Sequence, residues 1–332
     1  MEVAGIDISS ADHVARLRRI VNRTLPTLVE AAAPAALYDP VRYVLEGEGK
    51  RLRPVLLLLA AEAFGTSAEE ALPAALATEV FHNFTLVHDD IMDHADTRRG
   101  RPTVHRQWDE STAILCGDYL LALSYDLLAR LPAERIGPVL RVFHQMVARL
   151  CEGQTLDKVF ETRASVSVEE YLHMIDCKTG ALLQSTLEIG GLIGGASPVH
   201  LQALREAGHR LGRAFQIQDD LLDLVAEDAR WGKVIGGDLR EGKKAYLLLR
   251  ALERSEGEAH AWFARILTRG GLPEAEVPEA RNRMERLGVL EDATQAVAAD
   301  AAAARTALQR LPDVAAVHTL QWLMLRMQAR LH

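Results

Sequence analysis

Two runs of acidic residues sit inside apolar, helix-like stretches of this chain, and its fold must accommodate both. The first is His88-Asp89-Asp90-Ile91-Met92-Asp93; the second is Gln218-Asp219-Asp220-Leu221-Leu222-Asp223. Each carries the pattern D-D-x-x-D. Residues four apart share one face of a helix, so Asp89 lies beside Asp93 and Asp219 beside Asp223. Unpaired carboxylates at that spacing repel each other by roughly a few tenths of a kcal/mol. Phe84, Leu86 and Val87 precede the first run, and Phe215, Ile217 and Leu224 surround the second. Acids set in apolar runs point to a lined pocket rather than a solvated face. A cation between them relieves the repulsion. Mg²⁺ suits, because it takes a few carboxylates and completes its shell with water and phosphate. One D-D-x-x-D alone would say little, since solvated helix faces also carry acids; its recurrence supports the metal reading.

The rest of the chain is helical in pattern. Helices are expected over 13–31, 39–46, 53–64 and from Ser67 onward, where Glu70 completes a capping box. Others are expected over 111–131, 135–159, 167–180, 181–192, 198–226 and 244–254. The tail from Pro278 to His332 should give three more, broken near Gly288 and Pro312. Ala and Leu abound and are the best helix formers, whereas convincing period-two alternation is absent, so no sheet is expected. At 332 residues the chain could hold two domains. No low-complexity linker divides it, and a single helical domain over 1–332 is the expectation.

A net charge of −8 provides no basic field and excludes a nucleic-acid partner. The cysteines Cys116, Cys151 and Cys177 are few, scattered and odd in number. That argues against a disulfide framework and for a cytoplasmic location. Residues 1–7 show no basic stretch leading into an apolar core, so no secretion signal is expected. The longest strongly apolar run, Val55 to Ala61, is too short to span a membrane.

Basic residues gather in three loops rich in helix breakers: 46–51, 96–103 and 230–243. The candidates are Lys50, Arg51 and Arg53, then Arg98 and Arg99, then Lys233 and Lys243, with Lys178 elsewhere. Any one of them is ordinarily a solvated charge. Arg98-Arg99 closely follow the first acidic run, however, and Lys233 follows the second. Metal held by aspartates usually bridges to phosphate. Phosphate also attracts the planar fork of Arg and the point charge of Lys. A fourth loop, 269–278, reads as plain surface.

In this order the motifs resemble the trans-isoprenyl diphosphate synthases of the polyprenyl synthetase family. The matching pieces are Gly49-Lys50-Arg51-Leu52-Arg53-Pro54; His88 to Asp93 with Arg98-Arg99-Gly100-Arg101-Pro102-Thr103-Val104-His105; Gly153-Gln154 with Asp157; Lys178-Thr179-Gly180; Phe215 to Asp223; and Gly232-Lys233, Gly237-Asp238 and Glu241-Gly242-Lys243. Together they span roughly residues 45 to 250. The resemblance implies an all-α fold, a single large helical bundle of the isoprenoid synthase type around a central cavity. It implies a prenyltransferase, usually homodimeric, that condenses isopentenyl diphosphate with an allylic diphosphate. It assigns Mg²⁺, three ions with substrate bound, to Asp89, Asp93 and Asp219, supported by Asp90, Asp220 and Asp223. Arg98, Lys178, Thr179, Gln216, Lys233 and Lys243 would hold the allylic diphosphate. Lys50, Arg53, His82 and Arg99 would hold isopentenyl diphosphate, with Arg51 a further candidate. Ala245 departs from the Thr or Ser common in the family after the closing Lys.

Product length by the same resemblance depends on residues below the first acidic run. A helix rises about 1.5 Å per residue, which puts Phe84 about 7.5 Å below Asp89 as a floor, near Thr85 and Phe81. An aromatic there with a small residue at 85 favours a twenty-carbon geranylgeranyl product over the fifteen-carbon farnesyl one. Two rival readings share some of these features. A class I terpene cyclase has no use for Gly49 to Pro54 and His82. A non-catalytic subunit of a heteromeric synthase tends to lose aspartates or the Lys-Thr pair, and here all are present.

Overall fold

The computed structural model describes residues 8–29, 33–226 and 235–328. The helices are α1 (Ile8–Thr24), α2 (Ala35–Leu45), α3 (Leu52–Glu62), α4 (Ala68–Met92), α5 (Val104–Gln107), α6 (Glu110–Ala129), α7 (Ala133–Thr162), α8 (Val168–Ile175), α9 (Ala181–Gly194), α10 (Pro198–Val225), α11 (Gly237–Arg240), α12 (Tyr246–Arg254), α13 (Gly257–Arg269), α14 (Val277–Arg286), α15 (Val289–Leu308) and α16 (Ala315–Gln328). The all-α expectation holds. Two compact units emerge, one from Met1–His144, Thr186–Leu204 and Leu311–Leu323, the other from Gln145–Ser185, Arg205–Arg310 and Met324–His332.

In the first unit the middle of α3, Val55 to Ala61, is apolar all round and buried. A helix of that kind belongs in a core. It packs on α1 and α4. The N-terminus of α4 carries the expected capping box, Ser67 with Glu70. Helix α6 lies along α4 and comes close enough at Gly117 that a Cβ there would sit 2.1 Å from His88 Nε2. Among the described residues α6 is also long and apolar enough to cross a membrane, with a mean hydropathy of 1.3. Its Cys116, Leu120, Leu123, Leu127 and Leu128 are buried within the unit, which is how a core helix comes by that composition.

The second unit buries a core from α8, α10 and α12–α15, including Leu248, Phe263, Ile266, Met284 and Val289. Between α8 and α9 the chain widens into one π-helical turn, Asp176–Gly180. Glycines clamp it on two sides. A Cβ at Gly153 of α7 would meet Lys178 N at 2.3 Å, and one at Gly212 of α10 would meet Gly180 Cα at 2.6 Å.

The structure corrects three expectations. Residues 97–102 form a small antiparallel hairpin, Thr97–Arg98 against Arg101–Pro102. Its central pair, Arg99 (φ 51) and Gly100 (φ 74), is left-handed, as a type I′ turn requires; strands of two residues leave no alternation to read. Helix α13 occupies a stretch where no helix was expected. The loop at 269–278 is more than plain surface: Leu272 is buried, donates its N–H to Leu239 O at 2.9 Å, and docks the loop on α11.

Candidate active site

The first acidic run closes α4. Asp93 N donates to Asp89 O at 2.9 Å, so the two still share the helical face the spacing demands. Asp89 is half-buried and Asp93 exposed at the helix end. Asp90 points elsewhere. It is buried and receives the Arg98 guanidinium, Nε to Oδ1 at 2.7 Å. Burial pushes its carboxyl above the usual range, and Arg98 pulls the other way. In the same unit a cavity of about 340 Å³ opens between the C-terminal part of α2, α4 and the hairpin. Tyr43, Val44, Leu86, Asp90, Arg98 and Arg99 are among its lining residues.

A second group of basic residues stands on the turn into α3 and on α4. Arg53 donates from an NH to His82 Nε2 at 3.1 Å. Arg has no lone pair to offer, so Nε2 accepts and the imidazole is neutral. Burial first, then Arg53, Arg99, Arg98 and Arg51, hold His82 well below its ordinary pKa. Burial also brings Arg53 down to about 10, which leaves it fully charged near neutral pH. Its Nε is buried with no hydrogen-bond partner. Arg99 reaches back to Glu48 O at 2.8 Å. At Gly49 a Cβ would lie 3.0 Å from an Arg99 nitrogen and 3.2 Å from an Arg51 nitrogen, so the bare backbone lets two guanidiniums close in. Lys50 is exposed beside them. Several donors, one nitrogen among them without a partner, are thus held close together, an arrangement suited to an anion.

The aromatics expected to form a floor make a row. Phe84 stacks between His88 (4.7 Å) and Phe81 (5.4 Å), and Phe81 meets Phe143 at 5.2 Å. At about 100° per residue, Phe84 lies on a different face of α4 from Asp89. The residue directly below Asp89 is Thr85, buried and bonded to His82 O at 2.8 Å.

In the second unit the other acidic run closes α10. Asp219 is half-buried. Asp220 is buried and accepts from Tyr171 Oη, from Tyr246 N at 3.0 Å and from Gln216 Nε2 at 3.1 Å. Burial pushes it up to about 6, against those three bonds, with Asp219 adding to the rise. Burial and the Asp220 charge likewise drive Tyr171 well above its ordinary value. Asp223 accepts from Asp238 N at 3.1 Å and so holds the start of α11. On the π turn, Thr179 Oγ1 donates to Gln216 Oε1 at 3.0 Å, and Lys178 Nζ reaches Asp157 at 2.5 Å. Lys243 pairs with Glu241 at the surface. Lys233 and Gly232 lie outside the described residues.

The first unit therefore brings Asp89 with Asp93, Arg98 with Asp90, Arg53 with His82, and Arg99 with Arg51 beside Gly49. The second links Thr179, Gln216 and Asp220 in one chain of hydrogen bonds. Two participants escaped the sequence reading: Glu79, a buried carboxylate on α4 that accepts from Arg51 NH1 at 2.8 Å, and Tyr171. Glu79 had a signal, a lone acid among Ala74 to Phe81. Tyr171 had none, because a tyrosine in an amphipathic helix looks like core. Among the described residues no three acid, His or Cys side chains converge on a point. The aspartates nonetheless suit Mg²⁺, which relies on water and phosphate for much of its shell rather than on an all-protein cage.

The polyprenyl synthetase family model matches residues 34–284. The chain belongs to that family. A geranylgeranyl diphosphate synthase of Methanosarcina mazei is 44% identical over 236 residues, 70% of this chain and 73% of the relative. A geranylfarnesyl diphosphate synthase of Natronomonas pharaonis is 42% identical over 269 residues, 74% of this chain and 79% of its own. Among solved structures, the geranylgeranyl pyrophosphate synthetase of Pyrococcus horikoshii superposes with a TM-score of 0.91 at 36% identity, over 96% of this chain and 99% of that one. A decaprenyl diphosphate synthase of Rhodobacter capsulatus reaches 0.88 at 32% identity, over 97% and 98%. As a polyprenyl synthetase the protein is a prenyltransferase. The same fold carries relatives named for quite different products, so product length resides in side chains rather than in the bundle.

Proposed function

We propose that this prenyltransferase joins isopentenyl diphosphate head to tail to dimethylallyl, geranyl or farnesyl diphosphate and ends on geranylgeranyl diphosphate. The observation that carries the reading is the segregation of charge. One set of basic residues, Lys50, Arg53, His82 and Arg99, gathers near the turn into α3, with Arg53 bonded to His82 and Arg99 reaching Glu48 O, whereas Arg98 and Lys178 engage aspartates. The reaction needs two such places, because one diphosphate leaves and the other stays.

In the reaction the allylic C–O bond breaks and diphosphate departs with the electron pair. The terminal alkene carbon of isopentenyl diphosphate bonds to the allylic cation, and the new cation loses a proton to restore an alkene. Asp89 and Asp93 in one unit and Asp219 in the other, with Asp90, Asp220 and Asp223 in support, would hold Mg²⁺, which would supply countercharge to the departing diphosphate; three ions is the number the family implies. Arg98, Lys178, Gln216, Lys233 and Lys243 bind the same group, and donors aimed at charge that grows in the transition state accelerate its departure. Thr179 spends its proton on Gln216 and presents lone pairs, which suits it to steady the cation or relay the proton. Released diphosphate is the base, since no stronger one stands among these residues.

The twenty-carbon assignment is supported by the small Thr85 below Asp89, with Phe84 and Phe81 beyond it. We read the whole chain as one catalytic domain, a reading supported by a family match that takes in residues of both units. We place it in the cytoplasm, as three free thiols suggest. We take it to be a homodimer, which the adjacent exposed Ile114 and Leu115 on α6 support.

Mass analysis of products from isopentenyl diphosphate with each allylic starter and Mg²⁺ tests the proposal. A twenty-carbon diphosphate from all three starters is expected, with longer products from Phe84→Ala. Accumulation at fifteen carbons would favour the farnesyl assignment. Hydrocarbon from geranylgeranyl diphosphate alone would point to a cyclase, and no product at all to a non-catalytic subunit.

A further inference from the structure

Behind the basic residues near Gly49 lies a carboxylate for which the reaction has no use. Glu79 sits on α4, one turn before His82, and is only 2% exposed. Its partner is Arg51, whose NH1 donates to Glu79 Oε1 at 2.8 Å. Arg51 also donates from Nε to Asn22 Oδ1 at 2.9 Å and from its second NH₂ group to the carbonyl of Gly47. Three elements are thereby tied together: α1 through Asn22, the Gly47 loop, and α4 through Glu79. The backbone of Arg51 is left-handed, φ 48, at the N-cap of α3, so the turn between Lys50 and Arg53 is set at that residue.

A buried ion pair is a weak source of net stability, because desolvation consumes most of the Coulomb gain. A non-glycine residue at positive φ adds strain. Their coincidence next to an anion site calls for a positional account. Glu79 also acts on Arg53 and Arg99, opposing the burial and mutual repulsion that would make their charges costly. Guanidiniums crowded around a glycine repel one another until an anion arrives, and a fixed carboxylate among them makes the arrangement tolerable beforehand. Preorganisation of this kind lowers the cost of ligand binding.

We infer that Glu79 and Arg51 are positioning residues for isopentenyl diphosphate. Glu79 fixes Arg51, Arg51 fixes the turn, and the turn aims Lys50 and Arg53 beside Arg99 before the substrate binds. Arg51, a ligand candidate from sequence, is buried and fully engaged, so it acts through its neighbours. The inference rests on reading Lys50, Arg53, His82 and Arg99 as the isopentenyl site.

The test is steady-state kinetics on the full chain with each substrate varied in turn. Glu79→Gln and Arg51→Lys should raise KM for isopentenyl diphosphate roughly tenfold with kcat and the allylic KM little changed, the signature of lost ground-state binding. Because either single change leaves a buried charge poorly answered, the double variant Arg51→Met with Glu79→Met is made alongside. Apolar replacement of a whole buried pair is commonly tolerated, and here it should fold and still show the isopentenyl defect. Glu79→Asp, which keeps the charge, should recover part of the affinity. Wild-type KM values in the double variant overturn the inference, and so does a parallel rise in both KM values with a fall in kcat. Lys50→Ala serves as the control. If it too leaves isopentenyl KM unchanged, the site reading has failed; if it raises KM while the double variant does not, only the positioning role has.

Discussion

The two D-D-x-x-D runs share their spacing and their place at the end of a long helix, yet their middle aspartates meet opposite surroundings. Asp90 is answered by a cation, Arg98. Asp220 is answered by neutral donors, a tyrosine hydroxyl, a backbone N–H and an amide. The third aspartates diverge as well: Asp93 stands exposed at the end of α4, whereas Asp223 is buried and pins α11. On the proposed function, Arg98 is a countercharge that a phosphate could draw from the first run. The neutral network makes the second run a fixed scaffold, linked through Gln216 to Thr179. One sequence pattern therefore serves two mechanical purposes, and the neighbours decide which.

The largest effect should come from the leading aspartates. Asp89→Ala and Asp219→Ala should each lower kcat on the order of 10²- to 10³-fold, the scale of losing a principal electrostatic stabiliser. Steady-state turnover measures this, and a dispensable Asp219 would break the pairing of the two runs.

Next come the middle aspartates. Asp220→Asn turns an amide toward groups that already donate, and should cost about 2–3 kcal/mol of stability, against about 1 kcal/mol for Asp90→Asn, where an acceptor for Arg98 survives. Denaturant unfolding compares them; equal costs would contradict the contrast drawn above.

The pH dependence should also differ in sign. Asp220 has a folded pKa of about 6, above its ordinary value of 3.8. The folded state therefore holds that proton more tightly, and the contribution, full below 3.8, is lost as pH rises through about 6. His82 is depressed below 6.5, so its contribution is present above 6.5 and lost as pH falls. His82→Gln should flatten the acid-side fall in Tm below pH 6.5, and Asp220→Asn should remove the opposite slope between 3.8 and about 6. A Tm profile unchanged in both variants would sink this assignment.

The smallest effect separates the regions by substrate. Gly49→Ala presses hardest on the flexible end of Arg99, at 3.0 Å, and less closely on the anchored Arg51, at 3.2 Å, so stability should move by about 1 kcal/mol. KM should rise a few-fold for isopentenyl diphosphate alone. An equal change for the allylic substrate would mean that these basic residues serve both.

Much of this was legible before the fold. The helical period, the capping box at Ser67, the breaks near Gly288 and Pro312 and the ordered motifs from Gly49 to Lys243 are local patterns, and local patterns survive in a sequence. The hairpin at 97–102 was hidden because its strands are two residues long. The docked loop at 269–278 was hidden because its glycines, like those of any exposed turn, gave no hint of the chain packed against them.

By itself the sequence determined the class of fold, the family and the residue types its chemistry needs, since helix periodicity and carboxylate spacing act within a few turns of chain. Tertiary structure decided what each charge does. It buried Glu79 against Arg51 and gave Asp90 a cation and Asp220 a tyrosine. Those outcomes depend on which distant side chains are brought within hydrogen-bonding reach, and on how much water they exclude.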